Sequence, residues 1–174
     1  VKQLLDYIGE DSERPGLKKT PERFLEFLKT FTAGGNKDLT KIIHESILSD
    51  SSGDLVIVKD INFFSLCEHH LLPFFGKCHI GYIPNKNIIG LSALPKVVEV
   101  LSRRLQIQER LNKQIANCLF DNLSPIGVGV VIEASHLCMT MRGVKQLNSV
   151  TITKSMQGSF LKPEVATDFM KHIK

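Results

Sequence analysis

The chain has 174 residues, of which 43% are hydrophobic and 23% are charged. This balance suits one compact domain with a buried core, and it excludes a disordered tail. The net charge of +4 is mildly basic and is compatible with an anionic small molecule or a nucleic acid. Because the sequence has no apolar run of membrane-spanning length and no clustered basic recognition helix, we expect neither a membrane segment nor a nucleic-acid partner.

The first 40 residues are predicted to be helical. The stretch "KQLLDYIG" has leucine and isoleucine at helical spacing and ends at Gly9. Thr20 and Pro21 form the pattern of an N-cap followed by proline at the first helical position. The helix that follows should carry an apolar face made of Phe24, Leu25, Phe27, Leu28 and Phe31.

The middle of the chain is predicted to contain strands and then helix. "DLVIVKDINFFSL" and "FFGKCHIGYIP" are rich in β-branched and aromatic residues, which is typical of strands. "PNKN" resembles a turn, so Ile88 to Leu91 should continue a hairpin. From Ser92, the predicted cap, to Leu123 the apolar spacing becomes helical.

The last third is predicted to contain a strand over Gly127–Arg142, a partner strand at "SVTITKSM" and a short helix opened by Pro163. Strands and helices are mixed without regular βα alternation. The sequence therefore favours an α+β fold with an antiparallel sheet. We expect a single domain over 1–174, with an N-terminal helical part (1–40) and a second part (54–174).

The chain contains four cysteines: Cys67, Cys78, Cys118 and Cys138. In a mid-sized chain without a secretory signal, reduced thiols or metal ligands are favoured over a disulfide framework, and the cytoplasm is the expected compartment. Cys78 and Cys118 have no clustered partner. Cys118 lies on the apolar stripe of a predicted helix, where core packing is expected.

The stretch "SLCEHHLLPFFGK" places Cys67, His69 and His70 within four positions. In a turn, Cys67 and His70 converge on one point and His69 points elsewhere. In an extended segment, Cys67 and His69 share a face and His70 opposes them. The spacing leaves both geometries open, but either one separates the two histidines.

In the predicted strand Gly127–Arg142, a period of two places His136, Cys138 and Arg142 on one face. Two thiolates and one imidazole form a good zinc set, since thiolate and imidazole favour zinc over calcium, magnesium or manganese. Three protein ligands leave the fourth tetrahedral position open for water, as in catalytic sites. A fourth protein ligand would instead make the site structural, so a non-enzymatic zinc protein is an alternative.

The sequence also resembles the GTP cyclohydrolase I family over nearly the whole chain. The resemblance is carried by "KTPERF", "SLCEHHLLPFFGKCHIGYIPN", "IIGLS", "SRRLQIQERLNKQIA", "GVGVVIEASHLCMTMRGV" and "SVTITKSMQGSF". It implies a tunnelling fold, in which a four-stranded antiparallel sheet with helices on one face assembles into a barrel across subunits. It further implies a homodecamer with active sites between subunits, and it leaves a regulatory protein partner open.

The resemblance implies roles for individual residues. One zinc ion per subunit would be bound by Cys67, His70 and Cys138. The catalytic histidines, which do not bind metal, would be His69 and His136. Glu109, with Gln108 beside it, matches the position that holds guanine, whose ring N–H and amino group suit a carboxylate acceptor.

Contacts to the triphosphate are also implied. The matching positions are Ser92, Arg142 and Arg23, the last supplied by an adjacent subunit. The family usually reads "GLSKLAR" where this chain has "GLSALPK". Ala93 replaces a lysine expected to touch phosphate, and Lys96 stands where arginine is usual. We expect weaker triphosphate binding with the chemistry retained.

The implied reaction is hydrolytic opening of the guanine imidazole ring of GTP. Zinc would activate the attacking water, His136 would protonate N7 of the guanine, and His69 would assist later proton transfers. Formate leaves and the ribose rearranges to give 7,8-dihydroneopterin triphosphate, which feeds folate or tetrahydrobiopterin synthesis. The HxE and PCxxC motifs of nucleobase deaminases are absent. Related tunnelling-fold nitrile reductases and pterin aldolases are not expected to carry this Cys–His–Cys set.

Overall fold

The computed structural model describes residues 1–50 and 53–174. The α-helices are α1 (Lys2–Tyr7), α2 (Thr20–Thr32), α3 (Leu39–His44), α4 (Ala93–Ser102), α5 (Gln108–Leu123), α6 (Leu137–Thr140) and α7 (Pro163–His172). The strands are β1 (Ile47–Ser49), β2 (Val56–Cys67), β3 (Pro73–Ile83), β4 (Asn87–Ile89), β5 (Leu105–Gln106), β6 (Gly127–His136) and β7 (Thr151–Gly158). In these two ranges, no helix combines the length and apolar character needed to cross a membrane.

The main sheet has the strand order β5-β2-β3-β6-β7. The four long strands pair antiparallel, as predicted, and the two-residue β5 adds a short parallel pairing at the end of β2. Because β2 and β6 flank β3 and both run antiparallel to it, they point in the same direction. Their C-terminal ends therefore lie at the same end of the sheet.

The hairpin predicted after β3 is wrong. The strand β4 pairs antiparallel with β1 in a separate two-stranded sheet. Since β3 already has β2 on one edge and β6 on the other, it offers β4 no free edge. The Ile89 N–H instead donates a hydrogen bond to the Tyr82 hydroxyl, at 3.3 Å, which ties β4 to the core.

The main hydrophobic core lies between one face of the sheet and the helices α4 and α5. Neighbouring residues of β6 face opposite ways: Val130 belongs to this core, whereas Val131 packs with Phe160 and Phe169 on the other face. The helix α7 therefore covers part of the second face. A Cβ atom at Gly129 would lie 2.4 Å from the Phe160 ring, so glycine lets this ring approach the sheet.

The region predicted to be helical from Ser92 to Leu123 is divided into α4 and α5 by β5. The predicted N-cap of α2 is wrong, because Lys19, not Thr20, is the N-cap residue. Ser92 is the N-cap residue of α4, as predicted, but its side chain makes no capping hydrogen bond. Ser92 has helical dihedral angles, whereas a capping side chain usually needs an extended backbone at its own residue. The helix α2 buries none of its residues completely.

Candidate metal centre and active site

Three of the predicted ligands form a cluster. The ligand atoms of Cys67, His70 and Cys138 all lie within 4.8 Å of one another. Cys67 is the buried last residue of β2, His70 lies in the turn that follows, and Cys138 lies in α6 directly after β6. The common direction of β2 and β6 thus brings together two cysteines that are far apart in the sequence.

The donor set and its spacing suit a metal ion. Around a tetrahedral zinc ion, two thiolates and an imidazole place their donor atoms about 3.5 to 3.8 Å apart, so the observed cluster, within 4.8 Å, would need to contract only slightly. Burial, together with the adjacent Cys67 sulfur, raises the pKa of the Cys138 thiol. A bound cation would offset both effects because it stabilises the thiolates.

The strand predicted over Gly127–Arg142 is too long, because β6 ends at His136. The ladder with β7 ends at the pair Ala134–Thr151, and the ladder with β3 ends at the pair His136–Phe74. Beyond these pairs the backbone forms its own hydrogen bonds in the helical turn α6. Cys138 and Arg142 therefore do not share a strand face with His136, although Cys138 still reaches the cluster.

The side chains of His69 and His70 diverge. Of the two geometries that the spacing left open, the structure has the turn and not the extended segment. Their ring planes make an angle of 69°, with centroids 6.2 Å apart. His70 joins the cluster, whereas the Nδ1 atom of His69 lies 3.6 Å from the Cys67 sulfur. The turn is closed by a hydrogen bond from the Cys67 N–H to the Leu72 carbonyl at 2.8 Å, and Leu71 has a left-handed backbone.

His136 is held by a network that defines its protonation. Its Nε2 atom lies 2.7 Å from the Gln108 side-chain oxygen. The Gln108 amide nitrogen donates to the backbone oxygens of Ile132 and Thr151 and to the Thr153 hydroxyl. An amide oxygen only accepts hydrogen bonds, so this pattern assigns the neutral-form proton of His136 to Nε2. Its Nδ1 atom is then the basic nitrogen.

The His136 ring is also fixed from one side. It stacks on Phe74, with parallel planes and a centroid distance of 4.8 Å. Burial lowers the pKa of His136, and the negative charge of Glu109 partly opposes this shift. The neutral imidazole is therefore favoured, in a defined orientation beside the metal cluster.

Glu109 lies in the first turn of α5 and lines a groove of about 510 Å³ between α5 and β7. Polar side chains, among them Asn112, Lys113 and Lys154, line the groove beside Glu109. Gln108, predicted beside Glu109 as a guanine contact, is instead buried. Its amide nitrogen already faces three acceptors, so it has no free donor for a ligand.

The predicted phosphate contacts are scattered. Arg142 is exposed, and its charge acts weakly on the Cys138 thiol, which places it near the cluster. Lys96 lines a separate groove with Phe64 and Arg103. Arg23 and Ser92 are exposed. Within the two described ranges, no hydrogen bond or ion pair joins Arg23, Ser92 or Lys96 to the metal ligands.

Sequence reasoning missed two features of this site: the stacking of Phe74 on His136, and an ion pair between Glu68 and Arg110. Both depend on strand register and on contacts between residues far apart in the chain. A weak signal for the ion pair was present, since the motifs "CEHH" and "QERL" contain the opposite charges of Glu68 and Arg110.

Comparison with known proteins identifies the family. The sequence pattern described as GTP cyclohydrolase I matches residues 1–174. The chain belongs to the GTP cyclohydrolase I family. It is 51% identical to GTP cyclohydrolase 1 of Campylobacter jejuni subsp. jejuni, over 94% of this chain and 86% of the relative. It is 54% identical to GTP cyclohydrolase 1 of Chlorobium phaeovibrioides, over 94% and 74% of the two chains.

A relative in Porphyromonas gingivalis, also named GTP cyclohydrolase 1, is 50% identical over 98% of this chain and 89% of its own. Membership in the family confirms the resemblance and the prediction of an enzyme. Among solved structures, an archaeosine synthase QueF-Like in the apo form matches with a TM-score of 0.52 at 16% identity. That match covers 63% of this chain and 97% of the other, and it confirms the α+β tunnelling fold.

Proposed function

We propose that this chain opens the imidazole ring of GTP by hydrolysis, releasing formate and forming 7,8-dihydroneopterin triphosphate. The observation that carries the proposal is the Cys67–His70–Cys138 cluster beside an oriented His136, in a chain of the GTP cyclohydrolase I family. A metal site can activate water and a positioned imidazole can transfer protons, and together these two functions suit the addition of water to a purine ring.

The metal that suits this cluster is zinc, one ion per subunit. Two thiolates with an imidazole favour zinc among the common divalent metals, and three protein ligands leave a coordination position for water. When bound, zinc would supply an activated water for attack on C8 of the guanine. Cys67, His70 and Cys138 would hold the ion at the C-terminal ends of β2 and β6.

His136 is the group we assign to protonation of N7 of the guanine. Gln108 occupies its Nε2 atom, and no hydrogen bond among the described residues occupies its Nδ1 atom. Nδ1 is therefore the atom that takes up a proton and passes it on. Ring orientation is maintained throughout by Phe74 and Gln108. We propose that Gln108 contributes through His136 and not by touching guanine.

His69 is assigned to the later proton transfers as the ring opens. Its Nδ1 atom faces the Cys67 sulfur, and the residue is exposed to solvent. An imidazole ring can both accept and donate a proton, which suits this role. The two neighbouring histidines thus divide metal binding and proton transfer between them.

Glu109 is the residue we propose to recognise guanine. It is exposed at the groove between α5 and β7, and a carboxylate accepts hydrogen bonds from the ring N–H and the amino group of guanine. Arg142, Ser92, Lys96 and Arg23 remain our proposed triphosphate contacts. The replacement of a lysine by Ala93, which is fully buried, removes one cation from that set.

We propose a homodecamer in which Arg23 serves the site of an adjacent subunit. The free outer edge of β7 and the apolar face of α2, which is not completely buried, support assembly through these elements. Binding of a regulatory protein, the cytoplasmic location and the division into an N-terminal part (1–40) and a catalytic part (54–174) stay predictions.

The test of the proposed function is direct. Zinc-loaded protein is incubated with GTP, and formate is measured together with the fluorescence of the oxidised pterin product. We expect equal amounts of formate and pterin. Zinc binding without GTP-dependent formate would instead favour a structural zinc site and would contradict the proposal.

A further inference from the structure

The loop that carries the two histidines, Glu68–Leu72, has little packing of its own. Glu68, His69 and His70 are exposed, and Leu71 is 46% exposed. Cys67, the residue directly before the loop, is buried. A loop with so few apolar contacts needs other interactions to keep a metal ligand in place, because ordering it on metal binding costs conformational entropy.

Two polar contacts connect this loop to β5 and to α5. The backbone N–H of Glu68 donates to the Gln106 carbonyl at 3.0 Å, which extends the short β2–β5 pairing by one hydrogen bond. The Glu68 carboxylate forms a close ion pair with the guanidinium of Arg110, in the first turn of α5. The loop is thus attached to α5 through one side-chain contact.

Arg110 is itself held in position. Its Nε atom donates to the Gln106 side-chain oxygen at 3.3 Å, while a second nitrogen reaches Glu68. Gln106 is buried, and its amide nitrogen donates to the Leu101 carbonyl at 2.9 Å and to the Gln114 side chain at 2.8 Å. Arg110 therefore joins an exposed loop to a buried, fully bonded amide.

We propose that Arg110 and Glu68 are positioning residues that hold the loop Glu68–Leu72 in the geometry that presents His70 to the metal beside Cys67. The inference rests on the zinc site proposed above. The side chains of Glu68 and Arg110 are 35% and 40% exposed, so the pair should add little to global stability. We expect the ion pair to affect metal affinity instead, because removing an outer contact that orients a ligand typically lowers metal affinity by about tenfold or more.

The test measures zinc affinity by competition with a chromophoric chelator, using the intact chain. We expect Arg110→Ala and Glu68→Gln each to weaken zinc binding about tenfold. Because both changes break the same ion pair, the double variant should bind zinc about as well as the more affected single variant. Arg110→Lys should give an intermediate loss, because one ammonium cannot span Glu68 and Gln106 as the guanidinium does. The matched control is Arg14→Ala, which removes the exposed Arg14–Glu10 ion pair and should leave zinc affinity unchanged.

The urea midpoint of each metal-free variant gives the second readout, and it should stay at the wild-type value. Unchanged zinc affinity in Arg110→Ala would overturn the positioning role while leaving the proposed function intact. A fall in metal-free stability large enough to explain the loss of affinity would overturn it as well. Wild-type protein that fails to bind zinc would contradict the proposed function and this inference together.

Discussion

Among the clustered ligands, Cys138 depends most on a local change of backbone, from the strand β6 to the helical turn α6. Replacing it leaves one thiolate and one imidazole, which is too small a donor set for tight zinc binding. We expect Cys138→Ala to lose its zinc during gel filtration, as measured by metal content. The control is Cys118→Ala, outside the cluster, which should keep one zinc per chain. Stoichiometric zinc in Cys138→Ala would show that the cluster is not the metal site.

His136 differs from the ligands because it touches Gln108 and Phe74 and is absent from the cluster. We expect His136→Ala to bind zinc normally and to lose about 10²- to 10⁴-fold in the rate of formate release. His172→Ala, a change at an exposed histidine of α7, should retain the parent rate. If His136→Ala released formate at the parent rate, another group would have to protonate the guanine.

At the scale of a single element, β2 contains an irregularity opposite β3. The pairing register shifts between Val58 and Ile61, and Asp60 has a left-handed backbone with φ of 62°. The Asp60 N–H donates to the Nδ1 atom of His79 at 3.2 Å, and its carboxylate pairs with Lys77 at 2.7 Å. Because the Nδ1 atom of His79 accepts this hydrogen bond, it carries no proton, so the contact requires the neutral imidazole.

Several groups act on the charge of His79. Burial lowers its pKa, the carboxylates of Glu133 and Asp60 oppose the shift, and Lys77 and Lys59 add to it. The pKa is therefore lower in the folded protein than in the unfolded chain, where it is about 6.5. Since the unfolded chain binds more protons below that value, the stabilisation is complete above it and is lost as the pH falls.

We expect the urea midpoint of the metal-free protein to fall between about pH 7.5 and about pH 5, and His79→Gln to reduce that fall. Glutamine can accept the hydrogen bond from Asp60 but does not titrate. His172→Gln, at an exposed position, should show the wild-type dependence. Equal pH dependence in wild type and His79→Gln would exclude His79 as a cause.

Elements determined by the pattern within one segment can be predicted from the sequence, whereas elements determined by contacts between distant segments cannot. The long strands and helices follow from apolar periodicity, because each buries one face, and their prediction is confirmed. The end of β6 at His136 could not be predicted, since it is set by where β3 and β7 stop pairing. The partner of β4 could not be predicted either, because it depends on which strand edges are free. The spacing alone left the choice between His70 and His69 open; the family resemblance implied His70, and the turn brings His70 into the cluster.

At the scale of the whole molecule, apolar side chains are exposed in β7, which is an edge strand of the main sheet, and in the segment that leads into it. They include Met141, Val144, Leu147, Val150 and Ile152, each more than half exposed. An edge strand beside such a surface is a site for pairing with another chain. This arrangement supports the proposed assembly through β7.

We expect the protein to sediment as an oligomer well above the 19.5 kDa chain mass. Ile152→Lys should shift it toward smaller species, because a charge would then have to be buried at the edge of β7. Leu161→Lys is the control, since this residue is also exposed but lies outside the strand. A monomeric wild-type protein in sedimentation velocity would contradict the proposed homodecamer.

Three consecutive residues in the first turn of α5 make three different contacts. Gln108 orients His136, Glu109 lines the groove, and Arg110 reaches Glu68. A helix moves as a rigid body, so a small rotation of α5 would displace all three side chains together. On the roles proposed for these residues, a core substitution that rotates α5 should therefore impair proton transfer, base recognition and metal affinity together.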